Sequence, residues 1–262
     1  MINRFKNLLI PSGIFIILLT SCHRDPVENK NDNKIKSAVL YNDDGEVADS
    51  LAFTYTNDKV TRIDVTAPDS TYHCTYEYNG DKITKRNDYL SSPVIPESHM
   101  NLNYNSDGTL ASMDTYFSNG SSETKDESQS LHYSNGHIDK LTLSRNDNGN
   151  MSVRVENSFI YTNNNITTIK TTNPLDPSTT FDLEVTYDNT ENYLKKIPAA
   201  FFLDPVMLQV FEYLHVPIMI SENNITSGPL FFMPVNFSYT LDNKNNLTLL
   251  KFNDQIGIKF NY

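Results

Sequence analysis

The stretch that decides the fold is residues 151–169, MSVRVENSFIYTNNNITTI. Apolar and polar side chains alternate over residues 151–155, which is typical of a β-strand with one buried face. Three asparagines follow closely after Tyr161, and asparagine tolerates the positive φ of a tight hairpin turn. Ile166 and Ile169 then resume an apolar pattern. The stretch therefore predicts an antiparallel β-hairpin.

The same unit recurs along most of the chain: a tyrosine, a polar turn, an aliphatic residue and often a second apolar residue three positions later. The tyrosines of successive repeat units from Tyr55 to Tyr187 are 23, 26, 29, 28 and 26 residues apart, and Tyr239 follows 52 residues after Tyr187. A period in this range indicates a repeat architecture. The tyrosines that begin a repeat unit are Tyr41, Tyr55, Tyr78, Tyr104, Tyr133, Tyr161, Tyr187 and Tyr239. We expect seven or eight hairpins.

The aliphatic pair after each turn breaks strict alternation, because its members are three positions apart. Examples are Val60 with Ile63 and Ile138 with Leu141. A β-bulge between the two residues would return both side chains to the buried face. The sequence predicts an all-β fold, an antiparallel meander of repeated hairpins curled into a roll or half-barrel, in a single domain over residues 35–262.

Residues 198–235 interrupt the repeat with an apolar insertion. Asp204 followed by Pro205 is a helix-start signal, and one short helix is predicted over about 205–216, ended by Pro217. This helix is apolar nearly all round, which indicates a core helix inside the curved sheet. The alternative is that the insertion lines a cavity for an apolar ligand, with the lining residues Phe201, Phe202, Met207, Phe211, Phe231 and Phe232.

The N-terminus carries a targeting signal. Arg4 and Lys6 precede an apolar run of about a dozen residues, which is typical of a signal peptide and too short to span a bilayer. The segment ends in Leu19-Thr20-Ser21-Cys22, which resembles a bacterial lipobox. This resemblance implies cleavage of residues 1–21 and acylation of Cys22. It also implies that the protein contacts a membrane through its acyl chains and is located in the cell envelope. The outer membrane is favoured, and which face of that membrane carries the protein is undecided. The residues that follow Cys22, up to Lys34, are polar and have no periodic pattern, so residues 22–34 are predicted to be the acylated cysteine and a flexible tether.

Cys74 is the remaining cysteine and lies in an apparent strand, so we expect a buried structural thiol. The net charge of −11 argues against nucleic-acid binding, and a mean hydropathy of −0.45 excludes a multi-span helical membrane protein. No His spacing suits a metal, and no GxSxG, SxxK or Walker-type loop occurs. The sequence therefore predicts no enzyme, no catalytic residue, no metal and no cofactor.

Two resemblances add to this interpretation. The hairpins are similar to the tyrosine-aspartate repeats of Rhs-type wall proteins, and the whole of residues 35–262 resembles a Bacteroidales lipoprotein family of unknown function with a porin-like fold. That resemblance implies a fold and no activity. Asp49-Ser50-Leu51 and Asp69-Ser70-Thr71 resemble an O-glycosylation sequon of the same bacteria, which makes Ser50 and Ser70 candidate sites.

The leading functional hypothesis is a non-enzymatic binding module or surface scaffold whose partner is a glycan, a lipid or an envelope protein. A carrier of a lipid or other apolar ligand is the alternative. A second alternative is an outer-membrane β-barrel, because residues 256–262 alternate and end on an aromatic residue. An enzyme with a site assembled from dispersed residues also stays open.

Overall fold

The computed structural model describes residues 34–90, 94–118, 122–211, 214–230 and 233–262. The predicted signal peptide (1–21), the acylation site Cys22 and nearly all of the tether lie outside these residues. The strands are β1 Ser37–Tyr41, β2 Val47–Thr56, β3 Lys59–Ala67, β4 Ser70–Asn79, β5 Lys82–Tyr89, β6 Ser98–Tyr104, β7 Leu110–Ser118, β8 Glu123–Ser134, β9 His137–Asp147, β10 Asn150–Thr162, β11 Asn165–Thr172, β12 Phe181–Glu184, β13 Thr186–Glu191, β14 Asn223–Leu230, β15 Met233–Leu241, β16 Leu247–Phe252 and β17 Gln255–Asn261. The helices are α1 Ala199–Phe202, α2 Pro205–Val210 and α3 His215–Ile220, with 3-10 turns at Pro177–Thr179 and Tyr193–Lys196.

The seventeen strands form one antiparallel sheet that is nearly closed into a barrel. Consecutive strands pair along the chain, and β17 pairs with β1, which in turn pairs with β2. Between β12 and β13 lies the single residue Val185; β12 pairs with β11, and β13 pairs with β14. The predicted all-β meander of hairpins is confirmed, and the sheet curls beyond a half-barrel because its first and last strands meet.

A β-bulge follows each repeat turn, as predicted. In the β10–β11 hairpin Tyr161 pairs with Ile166 whereas Ile160 pairs with Thr168, so Thr167 is the extra residue. Ile166 and Ile169 are both fully buried as a result. The same register shift and burial occur at Val60 with Ile63 and at Ile138 with Leu141.

The turns themselves use the asparagines in the left-handed conformation. Asn163 and Asn164 have φ of 50° and 61°, and Asn135 and Gly136 have φ of 52° and 80°. Two consecutive positive φ values define a turn whose twist matches that of the flanking strands. The asparagine-rich composition is therefore explained by hairpin geometry.

The repeat tyrosines connect neighbouring hairpins. The hydroxyl group of Tyr104 donates to the carbonyl oxygen of Ile83 at 2.8 Å, and that of Tyr161 donates to Ile138 at 2.7 Å. In each case the acceptor follows the turn of the preceding hairpin. We call this set the tyrosine ladder; its other members are Tyr55 to Ile35, Tyr78 to Val60, Tyr133 to Leu110, Tyr187 to Ile166, Tyr239 to Ile225 and Tyr262 to Leu247.

The ladder marks one end of the barrel, the tyrosine rim, formed by the turns at 57–58, 80–81, 105–109, 135–136, 163–164 and 242–246. The opposite end, the far rim, is formed by residues 42–46, 68–69, 90, 94–97, 148–149, 173–180 and 253–254 of the connections between strands. The backbone N–H of Lys36 donates to Asn261 at 2.7 Å. Residues preceding β1 therefore approach the barrel at the tyrosine rim.

Residues 193–222, the plug, connect β13 to β14 through the three helices. The prediction of one helix over 205–216 is wrong in detail, because α2 ends at Val210 and α3 begins at His215. Pro217 lies in the first turn of α3 and does not end a helix there. A proline is tolerated at this position because the first-turn N–H groups have no acceptor within the helix. The helix start at Asp204 is confirmed, since its side chain accepts a hydrogen bond from Val206 N–H.

Within the described part of the chain, no helix has the length and apolar character needed to cross a membrane.

Candidate functional site

The predicted ligand-lining residues of the plug lie in a packed aromatic core. Phe201, Phe202, Met207 and Phe211 are all fully buried. The ring centroids of Phe201 and Phe202 are 5.1 Å apart and those of Phe202 and Phe211 are 5.9 Å apart, distances typical of favourable aromatic contacts. A ligand-lining role for these four residues stays a prediction. Phe231 and Phe232, the other two, lie outside the described residues.

The aromatic core also contacts the barrel wall. Phe201 packs edge-to-face on Phe260 of β17 at 5.5 Å, and Phe211 packs on Phe252 of β16 at 6.2 Å. Leu214 lies next to Gly228 of β14, where a Cβ atom would come within 2.7 Å of its Cδ2. The plug is thus in direct contact with the inner face of the sheet on several strands.

A buried polar cluster joins the plug to strands β4, β5 and β6. We call it the Asp204 cluster, and it consists of Tyr72, Cys74, Arg86, Asp88, Ser98 and Asp204. The Nη2 atom of Arg86 donates to Oδ2 of Asp88 at 2.8 Å, and its Nη1 donates to the carbonyl oxygen of Leu203 at 2.5 Å. Its Nε lies 2.6 Å from Oδ1 of Asp88, within ion-pair distance but without hydrogen-bond geometry. Both charged side chains are almost fully buried.

Asp204 is the plug's own contribution to this cluster. Its Oδ1 accepts hydrogen bonds from the Tyr72 hydroxyl at 3.0 Å and from Val206 N–H at 2.9 Å. Its Oδ2 is buried without a hydrogen-bond partner among the described residues. Burial raises the pKa of Asp204 to about 7, because a charged carboxylate is poorly solvated inside the barrel. Together with a hydrogen bond from Tyr76 to Ala200, these contacts hold residues 200–204 against the wall.

Two other members of the Asp204 cluster donate hydrogen bonds to the carboxylate of Asp88. The hydroxyl of Ser98 donates to Oδ2 at 2.7 Å, and the thiol of Cys74 donates to Oδ1 at 3.3 Å. Cys74 is fully buried, as predicted, and this burial raises the pKa of its thiol. A buried protonated thiol is a poor nucleophile, so its place here is structural.

Sequence reasoning missed the Asp204 cluster apart from Cys74 and the capping role of Asp204. The available signal was Arg86 and Asp88, which occupy inward positions on β5, the strand that also carries the buried Ile83. Charged residues at alternating inward positions are unusual in a half-buried strand, and they indicate a buried ion pair when opposite in sign.

The far rim carries most of the exposed large apolar side chains. Val94 and Ile95 in the β5–β6 connection are 78% and 65% exposed, and Phe117 at the end of β7 is 51% exposed. Phe117 pairs with Ser98, directly beside that connection. The other exposed apolar side chains at this rim are Val47, Leu90, Met151, Leu175 and Met233. Apolar groups grouped at one end of a molecule are typical of an interaction surface.

The candidate glycosylation sites differ in exposure. Ser70 begins β4 beside the β3–β4 turn and is exposed, whereas Ser50 lies within β2, pairs with Val39 and Thr66, and is only partly exposed. The two positions therefore offer different access to a modifying enzyme. Among the described residues, no group of three His, Cys, Asp or Glu side chains is arranged to hold a metal ion.

No family model matches the sequence, and no curated protein matches it. The chain is similar to two porin-like proteins of solved structure. One is from Bacteroides uniformis, with 14% sequence identity and a TM-score of 0.37, and the match covers 88% of this chain and 97% of that one. The other is from Bacteroides vulgatus, with 10% identity and a TM-score of 0.36, covering 87% of this chain and 98% of that one.

Proposed function

We propose that the protein is a lipid-anchored, non-enzymatic binding or scaffold module of the cell envelope. The observation that carries this proposal is that the plug packs inside the barrel, so the chain fills its own interior with aromatic side chains. Partners are then expected to meet the outer surface and the rims. The anchor is inferred from the Leu19–Cys22 motif.

The positions of the two rims support an orientation for such a module. The tether leads into β1 at the tyrosine rim, so the far rim, with its exposed Val94, Ile95 and Phe117, is the end farther from the tether. An apolar surface there suits an envelope protein or a lipid, whereas polar strand surfaces suit a glycan. We expect the far rim to contact the partner.

The exposed strand positions support a barrel that stands in water. In β15, beyond the exposed Met233 and Pro234 at its far-rim end, the exposed residues are Asn236, Ser238 and Thr240, which alternate with inward-facing residues such as Val235 and Phe237. A membrane-embedded barrel instead needs an outward apolar band about 25 Å tall. This contrast favours the anchored module over the outer-membrane barrel.

Replacement of the acylation site tests the anchor. We expect the full-length protein to fractionate with membranes and to incorporate a labelled fatty acid, and Cys22→Ser to lose both properties while keeping the folded barrel. The matched control is Cys74→Ser, which leaves the anchor in place. A Cys22→Ser protein that still needs detergent to stay in solution would contradict the proposal and support a membrane-embedded barrel.

The aromatic plug favours one second candidate, a carrier of an apolar ligand. Native mass spectrometry of residues 23–262, purified gently without detergent, would reveal a retained lipid-sized adduct if the protein is a carrier. Phe211→Asp is then expected to abolish ligand retention and leave the sheet folded. Global unfolding of Phe211→Asp, with no adduct on the unsubstituted protein, would identify the plug as core and leave the module as the remaining candidate.

A further inference from the structure

The apolar side chains at the far rim belong to separate connections around the barrel. Leu175 in the β11–β12 connection is 59% exposed and Met233 at the start of β15 is 64% exposed, several strands away from Val94 and Ile95. Within the described ranges, Ile160 of β10 is the one strongly exposed large apolar side chain that lies away from this rim. The exposed apolar groups therefore form a broad surface at one end of the molecule.

Hydrogen bonds hold this surface in place. The backbone N–H of Glu97 donates to the carbonyl oxygen of Asp88 at 2.9 Å, and that of Ser118 donates to the carbonyl oxygen of Glu97 at 3.0 Å, so the β5–β6 connection is fixed beside the end of β7. In the β11–β12 connection, Oδ1 of Asn173 accepts a hydrogen bond from the N–H of Leu175 at 2.9 Å. A surface that is ordered before binding loses less conformational entropy when a partner binds.

The far rim is also acidic. Its residues include no lysine, arginine or histidine. The basic residues closest to it along the chain lie within the flanking strands, such as Lys251 of β16 and Lys125 of β8, and the latter pairs with Asp114 at 2.7 Å. The acidic residues of the far rim are Asp43, Asp44, Glu46, Asp69, Glu97, Asp176 and Asp254.

The tyrosine rim has a different charge pattern. Its turns also contain aspartates, but lysines lie beside them. Nζ of Lys34 is 2.6 Å from Oδ1 of Asp58, and Nζ of Lys59 is 3.1 Å from Oδ1 of Asp81. Charges of both signs are thus interspersed at the tyrosine rim, whereas the far rim combines apolar side chains with charges of one sign.

The end of the barrel is large enough for a stable interface. Seventeen strands at a spacing of about 4.8 Å, tilted by about 35–45°, give a barrel roughly 30 Å across and an end area on the order of 700–900 Å². A stable protein–protein interface buries about 800 Å² on each partner. The far rim alone therefore offers an area of this size.

The charge of the far rim selects among the possible occupants. Anionic lipid would be repelled, and surfaces that bind membranes carry lysine and arginine around their apolar groups. A second copy docked through the same rim would place acidic side chains against acidic side chains. A protein surface with apolar side chains surrounded by lysine or arginine complements both features of the rim.

We propose that the far rim docks a basic, amphipathic protein surface. The apolar side chains of this partner would contact Ile95, Phe117 and Leu175, and its lysines or arginines would face the surrounding carboxylates. This inference rests on the proposed function, because it takes the protein to be a binding module, and it specifies the chemistry of the partner.

The test titrates residues 23–262, which contain every described strand and helix, into a fluorescently labelled amphipathic peptide of leucine and lysine. The comparators are a leucine–glutamate and a serine–lysine peptide of the same pattern. We expect fluorescence anisotropy to show binding of the leucine–lysine peptide and at least about tenfold weaker binding of each comparator. The affinity for the leucine–lysine peptide should fall as the salt concentration rises, because salt screens exposed charges.

Charge substitutions at the two rims locate the binding surface. The far-rim triple variant combines Asp44→Asn, Asp69→Asn and Asp254→Asn. The tyrosine-rim control, with the same change in net charge, combines Asp81→Asn, Asp107→Asn and Asp242→Asn. We expect the far-rim variant to weaken peptide binding about tenfold and the control to change it less than about twofold.

A second pair of variants tests the apolar part of the surface. Ile95→Ser should weaken binding of the leucine–lysine peptide about tenfold, because an exposed apolar anchor is lost. Ile160→Ser, at an exposed position near the tyrosine-rim end of β10, should bind the peptide like the unsubstituted protein.

Equal losses from the two triple variants would overturn the proposal, because the peptide would then respond to net charge alone. Absence of peptide binding would also overturn it. In that case, binding to phosphatidylcholine vesicles that Ile95→Ser abolishes would identify a lipid surface as the occupant, and a dimer in analytical ultracentrifugation that Ile95→Ser abolishes would identify a second copy. None of these outcomes changes the membrane fractionation of Cys22→Ser, so failure of this inference is distinguishable from failure of the proposed function.

Discussion

Asp204 connects the plug to the wall through a carboxyl group whose pKa is raised to about 7 by burial. In the unfolded chain the pKa of an aspartate is about 3.9. The folded state therefore holds its proton over a pH range in which the unfolded state has released it. This contribution to stability is fully present below pH 4 and is lost as the pH rises towards 7, in total on the order of 4 kcal/mol.

We expect Asp204→Asn to remove this pH dependence. The amide oxygen can still accept from Tyr72 and Val206, and no charge is buried at high pH. The free energy of unfolding of Asp204→Asn, measured by urea denaturation, should exceed that of the unsubstituted protein at pH 8 and approach it at pH 4. Asp182→Asn, at an exposed position of β12, serves as the control. Parallel stability curves for Asp204→Asn and the unsubstituted protein would show that the carboxyl group does not titrate in this range.

A tyrosine of the ladder stabilises the fold through its hydroxyl group as well as through its ring. In Tyr104→Phe the ring remains beside Lys82, whose Nζ lies 5.0 Å from its centroid, but the hydrogen bond to Ile83 is lost. The carbonyl of Ile83 then loses a partner, so we expect a loss of about 1 kcal/mol in the free energy of unfolding. Tyr89→Phe, which keeps the ring stacked on His73, should change it by less than about 0.5 kcal/mol. Equal effects of the two substitutions would argue against the ladder.

Gly228 sets how closely the plug approaches β14. Its φ is not in the left-handed region, so the need for glycine comes from space: the Cβ atom of any other residue here would lie 2.7 Å from Cδ2 of Leu214. Gly228→Ala should therefore destabilise the fold by about 1–3 kcal/mol through overpacking. The double variant Gly228→Ala, Leu214→Ala should lose less than the sum of the two single variants in thermal or urea unfolding. Additive losses would show that these two residues do not compete for space.

The elements that sequence predicted well are those defined by local patterns. The hairpins follow from alternation and from turn asparagines, and the bulge follows from the spacing of pairs such as Ile166 and Ile169. The break between α2 and α3 was missed, because residues 205–216 are mostly apolar and contain no glycine or internal proline that would mark an end at Val210. The tyrosine hydroxyl bonds were missed because their acceptors belong to the preceding hairpin, and only the stacking of hairpins brings them together.

At the scale of the whole molecule, closure of the sheet could not be derived from the sequence. The pairing of β1 with β17 joins residues more than two hundred positions apart, such as Ser37 and Asn261, and leaves no periodic signal. The Asp204 cluster could not be derived from the sequence for the same reason, because its members come from distant parts of the chain. Asn157 and Asp204 stand out as interruptions in apolar patterns, but their surroundings depend on the curvature of the barrel and the position of the plug.

Because β1 pairs with β17, the barrel does not depend on where along the sheet the chain starts. Joining residue 262 to residue 34 by a short linker, and opening the chain at the Asn135-Gly136 turn, would preserve every strand pairing. Such a circular permutant should fold to the same barrel. In the chain with its natural order, a receptor or reporter domain inserted at the Asn135-Gly136 turn would lie at the tyrosine rim, the end where β1 begins. The far rim would then stay unobstructed.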